Sequence, residues 1–343
     1  MRKAGIMLMV AMMSIACVGC EKKEEEASNN VAEYPTKEFK PNENLQQIAD
    51  QQKDALTPVP NGYLNAADER GTVETIQYEA TQEDGSKITK TAYVYLPYGY
   101  DENEKYDIIY CLHGGEGNTT AYLGTETGTT KIRNLLDNMI ENGDIKPLIA
   151  VAPTYYSHSS NGSDMGTSVS KINNFTKNEL VNELIPAVEG KYSTYAITTD
   201  IEGIKASRDH RAYTGFSMGS LSTWYTFLNA SDYFHYFMPM SGDCWVNGVS
   251  NANGAATTLE KFVKDKGYGV DDFFIYAVTG SKDIAYAAMD AQMTAMKQMS
   301  PSFVFLSKEN EKGNISYRVE PNATHDYNYM PLYFYNALPL FFK

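Results

Sequence analysis

The sequence predicts an α/β fold: a mostly parallel central sheet with helices on both faces, opened by an antiparallel hairpin. Three observations carry this. From Tyr106 onward, apolar runs of five to seven residues recur at Ile108–Leu112, Leu148–Ala152, Ala212–Phe216, Phe234–Met240, Phe273–Val278 and Ile315–Val319. Helical stretches separate or follow them near Lys131–Asn142, Lys171–Glu189, Ser217–Asn229, Leu259–Lys266, Ile284–Met299 and Tyr327–Leu338. Before them lie two strand-like segments, Thr72–Ala80 and Ile88–Leu96, joined across Glu83-Asp84-Gly85. Short apolar strands alternating with helices are what a parallel sheet buried on both faces requires, and the Asp-Gly turn closes a hairpin. The alternation runs on without a linker or an internal repeat, so residues 66–343 are expected to form one domain.

The elements ahead of that domain read as an address and a tether. Arg2 and Lys3 precede an apolar stretch, Ala4–Val18, and Cys20 follows Gly19. A charged start, a short apolar core and small residues before a cysteine describe an export signal over residues 1–19, cut ahead of a lipidated Cys20. Cys17 is the second candidate, and a soluble secreted protein is the alternative. The run is too short and too rich in Met and Ala to span a bilayer. Cys17 and Cys20 also spell C-x-x-C, but without a partner pair they do not describe a zinc site. Residues 20–65 are expected to be a flexible tether and lead-in: Glu21–Asn30 has almost nothing apolar to offset its ordering entropy. Asn44–Leu56 reads as one short helix, ended by Pro58, Pro60 and Gly62. The expected location is therefore exported and lipid-anchored to the bacterial cell envelope, touching membrane only through that anchor.

Composition narrows the function. The 343 residues are 43% hydrophobic and 21% charged, an ordinary globular balance. Lys and Arg number 29 against 43 Asp and Glu, a net charge of −14. Such a chain lacks the basic stripe that neutralises phosphates, so nucleic acid is not an expected partner. Of the four cysteines, only Cys111 and Cys244 lie beyond the signal and its lipidation site. They are expected to be free, buried thiols rather than a disulfide framework.

The chemistry centres on Gly215-Phe216-Ser217-Met218-Gly219, a G-x-S-x-G pattern between a strand and a helical stretch. In that setting the serine hydroxyl projects from a tight turn at a helix N-terminus, as a nucleophile does. A serine needs a base. His325, in Pro321-Asn322-Ala323-Thr324-His325 after the last strand, fits the chain order nucleophile, acid, base; His113 and His210 precede the serine, His158 sits in a polar loop, and His235 follows too soon. The acid should leave an intermediate strand. Asp283, in Thr279-Gly280-Ser281-Lys282-Asp283, does so; Asp243 is the main rival, and Asp290 sits within a helical stretch. Two backbone N–H groups should receive the developing oxyanion: Met218 after the nucleophile, and Gly115 or Gly114 in the His113-Gly114-Gly115 loop that ends an early strand.

Taken together, these stretches resemble family 1 carbohydrate esterases, most closely the feruloyl esterase domains attached to bacterial xylanases. The resemblance also rests on Tyr93-Val94-Tyr95-Leu96-Pro97-Tyr98-Gly99-Tyr100-Asp101, Ala206-Ser207-Arg208, Phe237-Met238-Pro239-Met240-Ser241-Gly242-Asp243 and Ala323-Thr324-His325, over about Ala66 to Lys343. It implies an α/β-hydrolase fold without a large lid, a Ser217–Asp283–His325 triad, Gly115 as the second oxyanion donor, and no metal or organic cofactor. Trp245 matches a tryptophan that in these esterases lines the pocket for an aromatic acyl group. The chain departs from the pattern near that pocket: Asp326 and Tyr327 follow the histidine where a tryptophan is common, Ser220 replaces a glycine, and Cys244 replaces an aromatic residue. The implied activity is hydrolysis of ferulate or related hydroxycinnamate esters on plant cell-wall polysaccharide. Deacetylation of xylan and acyl transfer are variants of the same chemistry. A surface lipoprotein that binds glycan without turnover is the reading from another class. The implied partner is feruloylated or acetylated plant polysaccharide.

Overall fold

The computed structural model describes residues 55–82, 84–115, 117–156, 169–307 and 312–343. The expected signal with Cys17 and Cys20, residues 20–54 of the tether, most of the Asn44–Leu56 helix, and His158 lie outside the described residues.

Strands β1 (Thr72–Thr81) and β2 (Lys87–Leu96) form the expected antiparallel hairpin, in register from Thr72 opposite Leu96 to Thr81 opposite Lys87. Then come β3 (Asp107–Leu112), β4 (Leu148–Ala152), β5 (Arg211–Phe216) and β6 (Tyr236–Met240), each buried along its whole length. Burial on both faces is why these strands read as unbroken apolar runs. A two-stranded ribbon, β7 (Trp245–Val246) with β8 (Val249–Ser250), leads away from β6. Strands β9 (Phe274–Gly280) and β10 (Ile315–Glu320) complete the sheet. The order is β1-β2-β4-β3-β5-β6-β9-β10, and every pairing from β4 to β10 is parallel.

Side chains alternate across β3: Ile108, Tyr110 and Leu112 enter one core, Ile109 and Cys111 the other. The first core is covered by a long helical segment, α1 to α2 (Val169–Asn174 and Ile185–Glu189) with a π-helical stretch, Phe175–Leu184, between them. It is also covered by α3 (Met218–Ala230), α4 (Ala252–Lys266) and α5 (Tyr286–Met296). The second core is covered by the helix Lys131–Glu141, whose Thr130 side chain accepts the Arg133 N–H as an N-cap, and by the C-terminal helix Met330–Ala337. Short helices at Thr120–Leu123 and Ile201–Ala206 were not expected from the sequence. Helix α4 starts at Ala252, not Leu259, because Asn251 caps Gly254 N–H and the inward face there is built from the small Ala255 and Ala256.

One boundary is corrected. The compact domain does not begin at residue 66, since the expected lead-in is already packed on it. Leu56 is buried and its N–H donates to Glu320 Oε2 at 2.8 Å; Thr57 N–H donates to Asn336 Oδ1 at 2.9 Å. Val59, Tyr63 and Leu64 pack against the second core. Apolar contacts and long-range hydrogen bonds hold a Pro- and Gly-rich stretch whose composition alone reads as linker.

Candidate active site

The turn between β5 and α3 places Ser217 at φ 60°, ψ −116°, a left-handed conformation that a non-glycine residue holds only when its surroundings enforce it. The flanking glycines show what enforces it. A Cβ on Gly219 would stand 2.1 Å from the Leu112 carbonyl oxygen, and one on Gly215 would stand 2.4 Å from the Gly219 backbone. The helix can start this close to the end of β3 only without side chains at both positions. Ser217 N–H donates to the Met240 carbonyl at 2.9 Å, which ties the turn to β6.

Ser217 Oγ and His325 Nε2 are 2.9 Å apart, and His325 Nδ1 and Asp283 Oδ1 are 2.8 Å apart. A carboxylate only accepts, so Nδ1 carries the proton and Nε2 of the neutral ring accepts from the serine. Asp283 is buried, and Ala285 N–H also donates to its Oδ1 at 2.8 Å. Burial works to raise the Asp283 pKa. The bonds from His325 and Ala285 and the nearby Ser241 hydroxyl outweigh it and hold the carboxyl below the usual range. Asp283 Oδ2, Ser241 Oγ and Tyr333 Oη are all buried without a formed hydrogen bond; Ser241 lies close enough to both neighbours to act on them electrostatically.

The His113-Gly114-Gly115 loop passes over the nucleophile. A Cβ on Gly114 would lie 3.2 Å from Ser217 Cβ, and one on Gly115 would lie 3.3 Å from Met218 Cγ. Gly114 N–H donates to Tyr327 Oη at 2.7 Å and is thereby engaged within the protein. Met218 N–H stands at the first position of α3, where N–H groups have no helical acceptor. His113 anchors the loop. Its Nδ1 faces the Gly114 carbonyl at 2.8 Å and must carry a proton there, so Nε2 accepts from Thr154 Oγ1 at 2.8 Å. Burial drives the His113 pKa down to about 4, so the ring is neutral and structural. Tyr156 Oη donates to the Gly115 carbonyl at 2.5 Å. Tyr327, Tyr156 and Thr154 were not singled out from the sequence as site residues; for Tyr327 the signal was its place two residues after the histidine.

The remaining candidates are elsewhere engaged. His210 pairs with Asp107 and His235 with Asp209. Asp290 accepts from Tyr317 Oη at 3.2 Å. Asp243 is buried and holds the Trp245 indole N–H at 3.0 Å and Ser250 Oγ at 2.6 Å, so this rival acid serves the ribbon rather than the histidine. Trp245 itself is half-buried against the first core. Cys111 and Cys244 are free and buried in different cores, on opposite faces of the sheet, and burial pushes both thiols up. Among the described residues, no cluster of three or more His, Cys, Asp or Glu side chains is arranged to hold a metal ion.

A serine hydroxyl bonded to the accepting nitrogen of a neutral imidazole can add to an ester carbonyl, and comparison with known proteins points the same way. The pattern of the Esterase family matches residues 86–340. The chain is 40% identical over 312 residues to endo-1,4-beta-xylanase Y of Acetivibrio thermocellus; the match takes in 91% of this chain and 26% of that protein, so the chain spans about a quarter of its relative's length. Among solved structures it is similar to a serine-to-alanine mutant of the feruloyl esterase module from Clostridium thermocellum complexed with sinapinate. There the TM-score is 0.70 at 40% identity, covering 84% of this chain and 94% of that one. A ferulic acid esterase from Anaeromyces mucronatus shares the fold, with a TM-score of 0.59 at 20% identity over 84% of this chain and 98% of that one.

Proposed function

The chain belongs to the Esterase family and is a serine carboxylic ester hydrolase, and from that premise we propose that it releases ferulate or a related hydroxycinnamate from plant cell-wall xylan. The observation that carries the acyl class is the 40% identity, over 94% of its length, to the module complexed with sinapinate.

In this reading His325 Nε2 takes the Ser217 proton as Oγ bonds to the ester carbonyl carbon. The carbonyl oxygen becomes an oxyanion facing Met218 and Gly115 N–H. Asp283 stabilises the imidazolium. The intermediate then breaks its bond to the sugar oxygen, which leaves with the proton from His325. Water repeats the sequence on the acyl-serine, freeing the acid and restoring Ser217. Trp245 supplies an aromatic wall for the acyl ring, and Tyr327 holds the oxyanion loop through Gly114 N–H.

Turnover of methyl ferulate, methyl sinapate and 4-nitrophenyl acetate by purified protein tests this. Ferulate and sinapate release, abolished in Ser217→Ala, is expected. Turnover of acetate alone contradicts the hydroxycinnamate assignment, and glycan binding without any ester turnover contradicts catalysis. The same reading takes residues 1–19 as an export signal and Cys20 as the lipidated residue, on the sequence pattern alone. Incorporation of a labelled fatty acid that is lost in Cys20→Ala supports it; incorporation that persists contradicts it.

A further inference from the structure

We propose that Asp243 is a positioning residue for the acyl pocket: with Ser250 it fixes the indole of Trp245 and so sets the preference for aromatic over acetyl esters. The inference rests on the reading of Trp245 as a wall of that pocket.

Asp243 is a buried carboxylate bonded to Trp245 and Ser250, whereas His325 is bonded to Asp283 and Ser217. Burying a charge is costly unless its oxygens are bound. Here Oδ1 accepts the Trp245 Nε1–H at 3.0 Å and Oδ2 accepts the Ser250 hydroxyl at 2.6 Å. Bonds to an ionised acceptor are the strong, directional ones, and these two go to residues directly opposite each other across the β7–β8 ribbon. The carboxylate therefore fastens both strands at the level of the indole. The backbone beneath is fixed too: Tyr225 Oη donates to the Trp245 carbonyl at 2.5 Å, and Cys244 N–H donates to Gln292 Oε1 at 2.7 Å.

This clamp is referenced to the nucleophile. The segment from Met240 to Trp245 starts where Met240 accepts Ser217 N–H, and Gly242 comes so close beneath that a Cβ there would stand 2.9 Å from the Ser217 carbonyl oxygen. The Gly242 carbonyl accepts from Ser220 Oγ at 2.7 Å and from Trp224 Nε1 at 3.1 Å. Ser220, one of the departures from the family pattern, thus anchors the segment that carries the clamp. An indole left without its acceptor is held only by its packing against the first core and is less firmly fixed about its two side-chain torsions. An aromatic acyl group would then have to order it on binding, whereas an acetyl group would not reach it.

The test is kcat/KM for methyl ferulate and for 4-nitrophenyl acetate in the wild type, Asp243→Ala, Asp243→Asn, Trp245→Ala and the Asp243→Ala/Trp245→Ala double variant. Asp243→Ala should lower the ferulate-to-acetate ratio about 10-fold, the size of one hydrogen bond to a charged group, mainly through KM for ferulate. Asp243→Asn, which keeps an acceptor for the indole, should restore most of it. In the Trp245→Ala background, Asp243→Ala should move the ratio no further. A ratio that falls in Trp245→Ala but stays within two-fold of wild type in Asp243→Ala overturns the inference. A ratio unmoved in Trp245→Ala overturns the pocket reading instead. If circular dichroism shows Asp243→Ala unfolded, Ser250→Ala takes its place: a lowered ratio supports the clamp and an unchanged one overturns it.

Discussion

Replacing Asp283 by asparagine separates the charge of the triad acid from its shape. His325 Nδ1–H and Ala285 N–H both donate to the same oxygen, Oδ1. An asparagine keeps its carbonyl there, because the reversed amide would turn its NH₂ toward two donors. The amide nitrogen then takes the place of Oδ2, beside the Ser241 hydroxyl, which can accept from it. The imidazole therefore retains its tautomer, and Nε2 still faces Ser217. What disappears is the negative charge opposite the imidazolium formed during attack. Two unit charges about 4 Å apart, at an effective dielectric of about 20, interact by about 4 kcal/mol, or about 10³-fold in rate. Where an asparagine forces the wrong tautomer, the loss is nearer ~10⁴. The assay is kcat/KM for methyl ferulate at neutral pH, with circular dichroism to establish that the variant is folded. A folded variant within ~10-fold of wild type would refute Asp283 as the acid; a loss beyond about 10⁴ would refute the fixed amide.

Three further outcomes follow from the geometry. Gly219→Ala drives a Cβ into the Leu112 carbonyl and should lower stability by about 1–3 kcal/mol or more, seen as a reduced thermal midpoint with activity lost; a wild-type midpoint would contradict the packing of the elbow. Tyr327→Phe removes the acceptor of Gly114 N–H, and kcat should fall about 10-fold with KM little changed, whereas an unaltered kcat would show that the oxyanion loop needs no such tie. Because the Asp283 pKa is held down in the fold, its ionised form stabilises the protein above the ordinary carboxylate range of about pH 4, and that contribution is lost as pH falls through the lower folded value. Ser241→Ala weakens this hold. The Asp283 pKa then rises towards the ordinary carboxylate value, and the acid-side loss of thermal stability should begin at higher pH; onset at lower pH contradicts the assigned role of Ser241.

Much of this was legible because the constraints are local. Strands β3 to β6 are buried on both faces, so their apolar runs could be read without knowing their neighbours. Gly215 and Gly219 are demanded by backbone approaching within a few residues of the nucleophile. The choices left open were settled by contacts distant in sequence. Gly114 N–H is engaged by a tyrosine 213 positions away. Asp243 and Asp283 both follow strands and look alike in the chain; only the three-dimensional arrangement shows one facing His325 and the other facing Trp245. The first turns of α4 and the packed segment 56–65 were missed because small residues and prolines carry little apolar periodicity, although Leu56 and Ala255 are buried.

We propose that Ser217 cleaves hydroxycinnamate esters of xylan. The most direct test is chromatographic detection of ferulate released from feruloylated xylan by the purified wild-type protein, beside Ser217→Ala. Ferulate accumulating with the wild type and absent with the variant is the predicted result. No ferulate from either protein, or equal release by both, would contradict it.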